Sequence, residues 1–243
     1  MSDVLQAKLL DTLTSFMKKD SIAIQNHRIN GKRLSLYILQ ELGVLESTLP
    51  QHHQTAPTNV KLDTNTANVV VNSRYQNVVV RNYHTYTIQQ LYPCALMHPA
   101  LKYTFTNLRD LLESAINLRK QVTHPAHRQL LKLFVNYAYG MFYDNESTVG
   151  FYSEYDKEFF CKKLDSMYTS IINAQPHGVE LVYADTDTYY FTGEYPNFAE
   201  IVKQHIDATS THKQASSYMM VVGKKKVLFF NELIFANGIT VLS

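Results

Sequence analysis

Apolar residues recur at helical spacing over residues 4–17, where Leu9, Leu10, Leu13 and Phe16 form one stripe and Ser2 or Asp3 can cap the first turn. A shorter helix is predicted over 32–42, ending at Gly43. Residues 46–67 then shift to Thr, Gln, His, Asn and Pro with few apolar positions, which reads as a linker. Beyond it, strands are predicted over 68–71 and 77–83, followed by a strand and turn running into a helix near Leu91. Two helices over 107–121 and 127–139 are separated by a turn at 122–126, with Pro125 breaking what would otherwise be one helix. A helix over 159–173, strands over 180–184 and 189–191, a helix over 197–206 and strands over 218–222 and 227–234 complete the pattern. No internal repeat is present. The expected class is α+β, an antiparallel sheet backed by helices, with a helical hairpin and a small helical N-terminal piece.

Domain organisation follows from the same pattern. Residues 1–45 read as a helical arm, 46–67 as a polar linker and 68–243 as the main body, in which 107–139 is the hairpin and 68–106 with 140–243 carry the sheet. The arm either packs against the body or docks a partner, and the pattern leaves both open.

Composition narrows the class only a little. A chain of 28.0 kDa with 45% hydrophobic residues can bury one core and a small accessory subdomain. A net charge of +2 is too mild to argue nucleic-acid binding from bulk charge, because phosphate neutralisation needs a local patch. Cys94 and Cys161 have no metal-ligand spacing and read as free thiols in a reducing compartment. The ten His show no ligand spacing, so zinc is not expected. No signal peptide opens the chain, and apolar runs such as 69–71 and 227–230 are too short to span a bilayer. The expectation is an intracellular or virion protein, not a secreted one.

Two segments carry chemistry. Val182-Tyr183-Ala184-Asp185-Thr186-Asp187-Thr188-Tyr189 places two carboxylates, one residue apart, at the tip of a predicted hairpin. Asp-x-Asp between strands is also ordinary turn chemistry, with side chains accepting from the backbone, and alone it decides nothing. Upstream, Lys132, Asn136 and Tyr139 or Gly140 recur at i, i+4 and i+7 or i+8, so a cation, an amide and a phenol share one helix face. Such a face can hold a triphosphate while its Tyr packs on a base or sugar.

Together these segments resemble the B and C motifs of family B DNA polymerases, Lys-x-x-x-Asn-Ser-x-Tyr-Gly and Tyr-Gly-Asp-Thr-Asp-Ser. Here Tyr137 replaces the first Ser, Ala184 the Gly and Thr188 the last Ser. Leu91-Tyr92-Pro93-Cys94-Ala95-Leu96-Met97-His98-Pro99 resembles the A motif, Asp-x-x-Ser-Leu-Tyr-Pro-Ser, and its Ala-Leu-x-His-Pro tail is similar to the protein-primed viral, adenovirus-like branch. Lys224-Lys225-Lys226-Val227 resembles the Lys-Lys-x-Tyr run that grips the primer strand, and Asn237-Gly238-Ile239 the strand end leading to the thumb. The resemblance covers about residues 75–240. It implies a palm (68–106 and 140–243) with a fingers hairpin (107–139), and no exonuclease domain or thumb within these residues.

Site roles implied by the resemblance are Asp187 as principal magnesium (Mg2+) ligand and Asp185 as its weaker partner. Lys132, Arg119 and Asn136 would face a deoxynucleoside triphosphate (dNTP), Tyr92 its sugar and Tyr139 the templating pair. Lys224, Lys225, Lys226 and Gly140 would face primer DNA. Each has a plainer reading: Arg119 as solvated helix surface, and Tyr92 and Tyr139 as packing residues. One position departs from the pattern. Counting back from Leu91-Tyr92-Pro93, the family's metal-binding Asp falls at Thr87, and no Asp or Glu occurs between Asp63 and Asp110. Two-ion phosphoryl transfer needs bridging carboxylates for ions about 4 Å apart, and a neutral hydroxyl cannot replace one. Three functions are therefore carried forward. The first is a polymerase-like protein, impaired in catalysis, that binds DNA, nucleotide or a partner. The second is an active DNA-directed DNA polymerase using Asp185 and Asp187, completed by another chain where necessary, and the third is a structural or assembly protein that keeps the fold without its ligands.

Overall fold

The computed structural model describes residues 2–19, 29–44, 69–101, 106–140, 154–231, 233–236 and 239–242. The predicted linker and the Asn237-Gly238 segment lie outside them. The chain divides into two compact units, Met1–Asn59 with Ala95–Phe160, and Val60–Cys94 with Cys161–Ser243.

The first unit is helical. It holds α1 (Ser2–Lys19) and α2 (Gly31–Glu41), and its centre is the hairpin described below. Asn30 starts α2 by accepting hydrogen bonds from the backbone N–H groups of Lys32 and Arg33 at 2.9 and 3.2 Å, which satisfies donors that have no partner inside the helix. Gly43 follows in the left-handed region, φ 67°, as a helix end requires. The short helix α3 (Leu91–Leu96) crosses from the second unit into the first. The hairpin itself is α4 (Thr106–Gln121) and α5 (Pro125–Gly140).

Pro125 opens α5 rather than lying in the turn before it. Proline suits the first helical turn because the N–H it lacks would have no acceptor there. Leu9 and Leu13 of α1, Leu34 and Ile38 of α2, Leu112 of α4 and Phe134 of α5 are wholly buried. Both N-terminal helices pack in the same unit as the hairpin.

The second unit carries the sheets. Its elements are β1 (Val69–Val71), β2 (Val79–Arg81), β3 (His84–Ile88), α6 (Glu154–Asn173, from Cys161 onward), β4 (Leu181–Asp185), β5 (Thr188–Phe191) and α7 (Phe198–Ile206). They are followed by β6 (Ser210–Gln214), β7 (Tyr218–Gly223), β8 (Lys226–Phe230), β9 (Leu233–Ala236) and β10 (Ile239–Leu242). The fold class is α+β, as the pattern predicts, and among the described residues the strands form three antiparallel sheets: β1-β4-β5-β3-β6, β2-β7-β8 and β9-β10. The single strand expected over 227–234 is interrupted after Phe230.

Strand β6 was not expected. Its Ser-Thr-His-Lys-Gln sequence has no apolar alternation, and it forms by pairing its backbone with β3 along the sheet edge. Between sheets, Val80, Tyr83, Val182, Tyr183, Met219 and Val221 form a buried cluster. Tyr195, with 1% of its surface exposed, ties sheet to helix: its N–H donates to the Tyr86 hydroxyl at 2.7 Å and its own hydroxyl donates to the Ile171 carbonyl of α6 at 2.8 Å. Burial pushes the Tyr195 phenol up to about 12.

Candidate functional site

Asp185 ends β4 and pairs with Thr188 at the start of β5, so the whole connection is the two-residue turn Thr186-Asp187. Thr186 sits at φ 60°, a region that costs a β-branched residue roughly 1–3 kcal/mol and that persists where surrounding structure imposes it. Hydroxyls brace the carboxylates on both sides. Thr186 donates to Asp185 Oδ1 and Thr188 to Asp187 Oδ1, each at 3.1 Å.

Thr87 stands directly across from Thr188 in the β3–β5 pairing, their hydroxyl oxygens 3.4 Å apart. Ile88 N–H donates to the Asp187 carbonyl at 2.8 Å, pinning the turn to β3. Paired residues in neighbouring strands point to one sheet face, so Thr87, Thr188 and Asp185 share a cross-strand row. No carboxylate enters this row from β3.

Beside the acidic turn opens a cleft of about 440 Å³ lined by Asp185, Asp187, Tyr183, Tyr190, Lys225 and Phe229, among others. Lys225 is in the turn between β7 and β8 at φ 59°. The Tyr183 hydroxyl sits close to the Lys225 backbone and to the Asp185 carboxylate. Burial first, then the Asp185 charge, raises the Tyr183 phenol above its ordinary value, so it stays a neutral donor. Of the three consecutive lysines, all exposed, Lys225 lines the cleft.

The remaining predicted residues belong to other elements. Lys132 and Asn136 are exposed, one turn apart on α5. Arg119 is half-buried near the end of α4, and burial, then the neighbouring Arg128 charge, lowers its pKa. Tyr139 and Gly140 end α5, and Tyr92 is half-buried in α3. Three cleft-lining aromatics escaped the sequence reading, Tyr183, Tyr190 and Phe229. Strand periodicity could have found Tyr183 and Phe229, each lying two residues from a position already singled out, Asp185 or Val227. In the helical unit, Arg109 donates to the carbonyls of Met97, His98 and Leu101 at 3.3, 2.7 and 3.1 Å, clamping the segment that follows α3.

Chemically, the cleft offers hard oxygen donors on one side and an ammonium on the other. Among the described residues no three His, Cys, Asp or Glu side chains come together as a metal cluster. Two carboxylates suit one Mg2+-like ion that keeps several waters or substrate oxygens. They do not suit a pair of ions, which needs a further bridging ligand.

Comparison with protein-family models and with curated proteins finds no match. Among solved structures the chain is similar to the family B DNA polymerase from the hyperthermophilic archaeon Pyrobaculum calidifontis. The TM-score is 0.51 at 13% sequence identity, over 83% of this chain and 31% of that one. The likeness is one of fold. The chain spans about a third of that polymerase's length. Among the described residues no helix is long and apolar enough to cross a membrane.

Proposed function

We propose that this chain is a family B DNA polymerase-like palm and fingers protein that binds primed DNA and nucleotide and is impaired in catalysis on its own. The observation that carries the reading is the cross-strand row in which Thr87 stands where the resemblance requires an acid, beside an otherwise intact Asp185-Thr186-Asp187 turn. The fold likeness to a family B polymerase supports the DNA-binding part. Lys225, turned into the cleft, gives phosphate a cationic partner. Asp185 and Asp187 would hold a single Mg2+ ion, which when bound neutralises phosphate charge, and Thr186 and Thr188 would keep their carboxylates oriented. On the helical unit, Lys132 and Arg119 are the cations that the resemblance assigns to a triphosphate, with the neutral amide of Asn136 one turn from Lys132.

Fluorescence anisotropy with a primed template, read with and without dNTP and Mg2+, tests the binding, and a gel assay of primer extension tests the chemistry. The expected result is binding weakened by Lys225→Ala, with little or no extension. Extension abolished by Asp187→Ala would establish an active polymerase instead. An absence of DNA and nucleotide binding would leave a structural protein.

A further inference from the structure

Phe229 is 53% exposed, while its neighbour Phe230 is 7% exposed. Large aromatic rings dominate burial energetics, so an open one at the rim of a charged cleft calls for an occupant. The ring does not hang free. Its centroid lies 5.9 Å from Tyr190 and 6.2 Å from Tyr83, with Tyr190 also 5.9 Å from both Tyr83 and Tyr183. The inner members are fixed, Tyr83 and Tyr183 being only 5% and 3% exposed, and the Tyr83 hydroxyl lies 3.2 Å from Ser217 Oγ. Phe229 is thus the outermost ring of a braced aromatic cluster whose members are tilted against one another at 37–55°.

The surroundings define what would cover it. Val227 and Phe229 pair with Val221 and Met219, so both point to the same face of β8, and both line the cleft that holds Asp185, Asp187 and Lys225. A purely apolar partner would meet two carboxylates and an ammonium within the same 440 Å³. A nucleotide answers all three features: a π-face for the ring, a phosphate for Lys225, and metal-bridged oxygens for the carboxylates. The volume lies within the range of about 300–1,000 Å³ common to small-ligand sites.

We infer that Phe229, backed by Tyr190, is a stacking platform for a nucleobase at the end of the DNA strand whose phosphate Lys225 holds. This rests on the proposed DNA-binding function and adds to it a contact with the base. Stacking on an aromatic side chain tolerates any base and contributes enough that its loss weakens binding by about 5- to 150-fold.

The test uses the full chain and a primed template carrying 2-aminopurine at the primer 3′ end, with anisotropy for affinity and 2-aminopurine fluorescence for stacking. Phe229→Leu should lower affinity within that range and relieve the quenching, leaving the salt dependence of binding unchanged because no charge is lost. Phe229→Tyr should retain affinity and quenching, and circular dichroism melts should show both variants folded. Wild-type affinity and quenching in Phe229→Leu would overturn the inference while leaving the DNA-binding reading standing. Failure of the wild-type chain to bind primed template at all would overturn both.

Discussion

Thr87→Asp probes the acidic turn most directly, because it adds a carboxylate from β3 to the row that Thr87 shares with Asp185. Laid end to end, the 3.4 Å contact from Thr87 to Thr188 and the 3.1 Å contact from Thr188 to Asp187 put the Asp187 carboxylate within about 6.5 Å of the Thr87 hydroxyl. Two unit charges at that distance repel by about 0.6 kcal/mol in bulk water and about 2.6 kcal/mol at an effective dielectric near 20. Thr87 and Asp187 are both partly buried, so the cost falls between those limits. For a chain of this size, 1 kcal/mol corresponds to roughly 2–4 °C in Tm. In EDTA the variant should therefore melt roughly 1–10 °C below wild type. Millimolar Mg2+ should reverse the order of effects. A third carboxylate raises affinity for the ion, and each tenfold gain in affinity adds up to about 1.4 kcal/mol of stabilisation at saturating metal. Thermal melts in EDTA and in Mg2+, with Thr87→Val as the packing control, read both effects. A variant whose Mg2+-induced shift is no larger than that of wild type would refute the placement of Thr87 at the ion site.

Three further outcomes follow from the geometry. Lys225→Ala should weaken primed-template binding evenly across sequences and reduce the slope of log affinity against log salt by about one unit; an unchanged slope would remove Lys225 from the phosphate path. Arg109→Ala, which leaves three carbonyls without their shared donor, should cost about 2–3 kcal/mol in urea unfolding, and Arg109→Lys should not restore it because an ammonium cannot span the fork. Burial first, then neighbouring positive or imidazole groups, lowers the folded-state pKa of His84, His127 and His205 below 6.5. The unfolded chain then binds more protons just below pH 6.5, so stability should fall as pH drops from about 7 toward 5, and melts that are flat or rise across that interval would contradict the assignment.

The acidic turn and the helical hairpin were legible because their signals are local. Apolar residues at period two bracket Asp185 and Asp187, and a 3.6-residue stripe runs through Leu130, Phe134 and Ala138. Long-range packing was less legible. Nothing in residues 1–45 states that Leu9 and Leu34 bury themselves in the same unit as Phe134, because an amphipathic stripe records that a face is covered and not by what. The division into three sheets was hidden for a related reason: β2 and β3 lie close in sequence, yet β2 pairs with β7 and β3 with β5. At the site, Asp185, Asp187 and Lys225 were readable as residue types, whereas the Tyr183 link between Asp185 and the Lys225 turn required the fold to bring two hairpins together.

The polar strand β6 also bears on how the molecule behaves in a crowded solution. It is one of the two edges of the five-stranded sheet, and its Thr211, His212, Lys213 and Gln214 are all exposed. An open rim is a template on which foreign strands can add and aggregates can grow, and natural sheets blunt that hazard with charge and short length. Here an invading strand would have to desolvate a lysine and an imidazole to gain five residues' worth of backbone pairing. Such a border lets the sheet stop growing where the chain's own pairing ends.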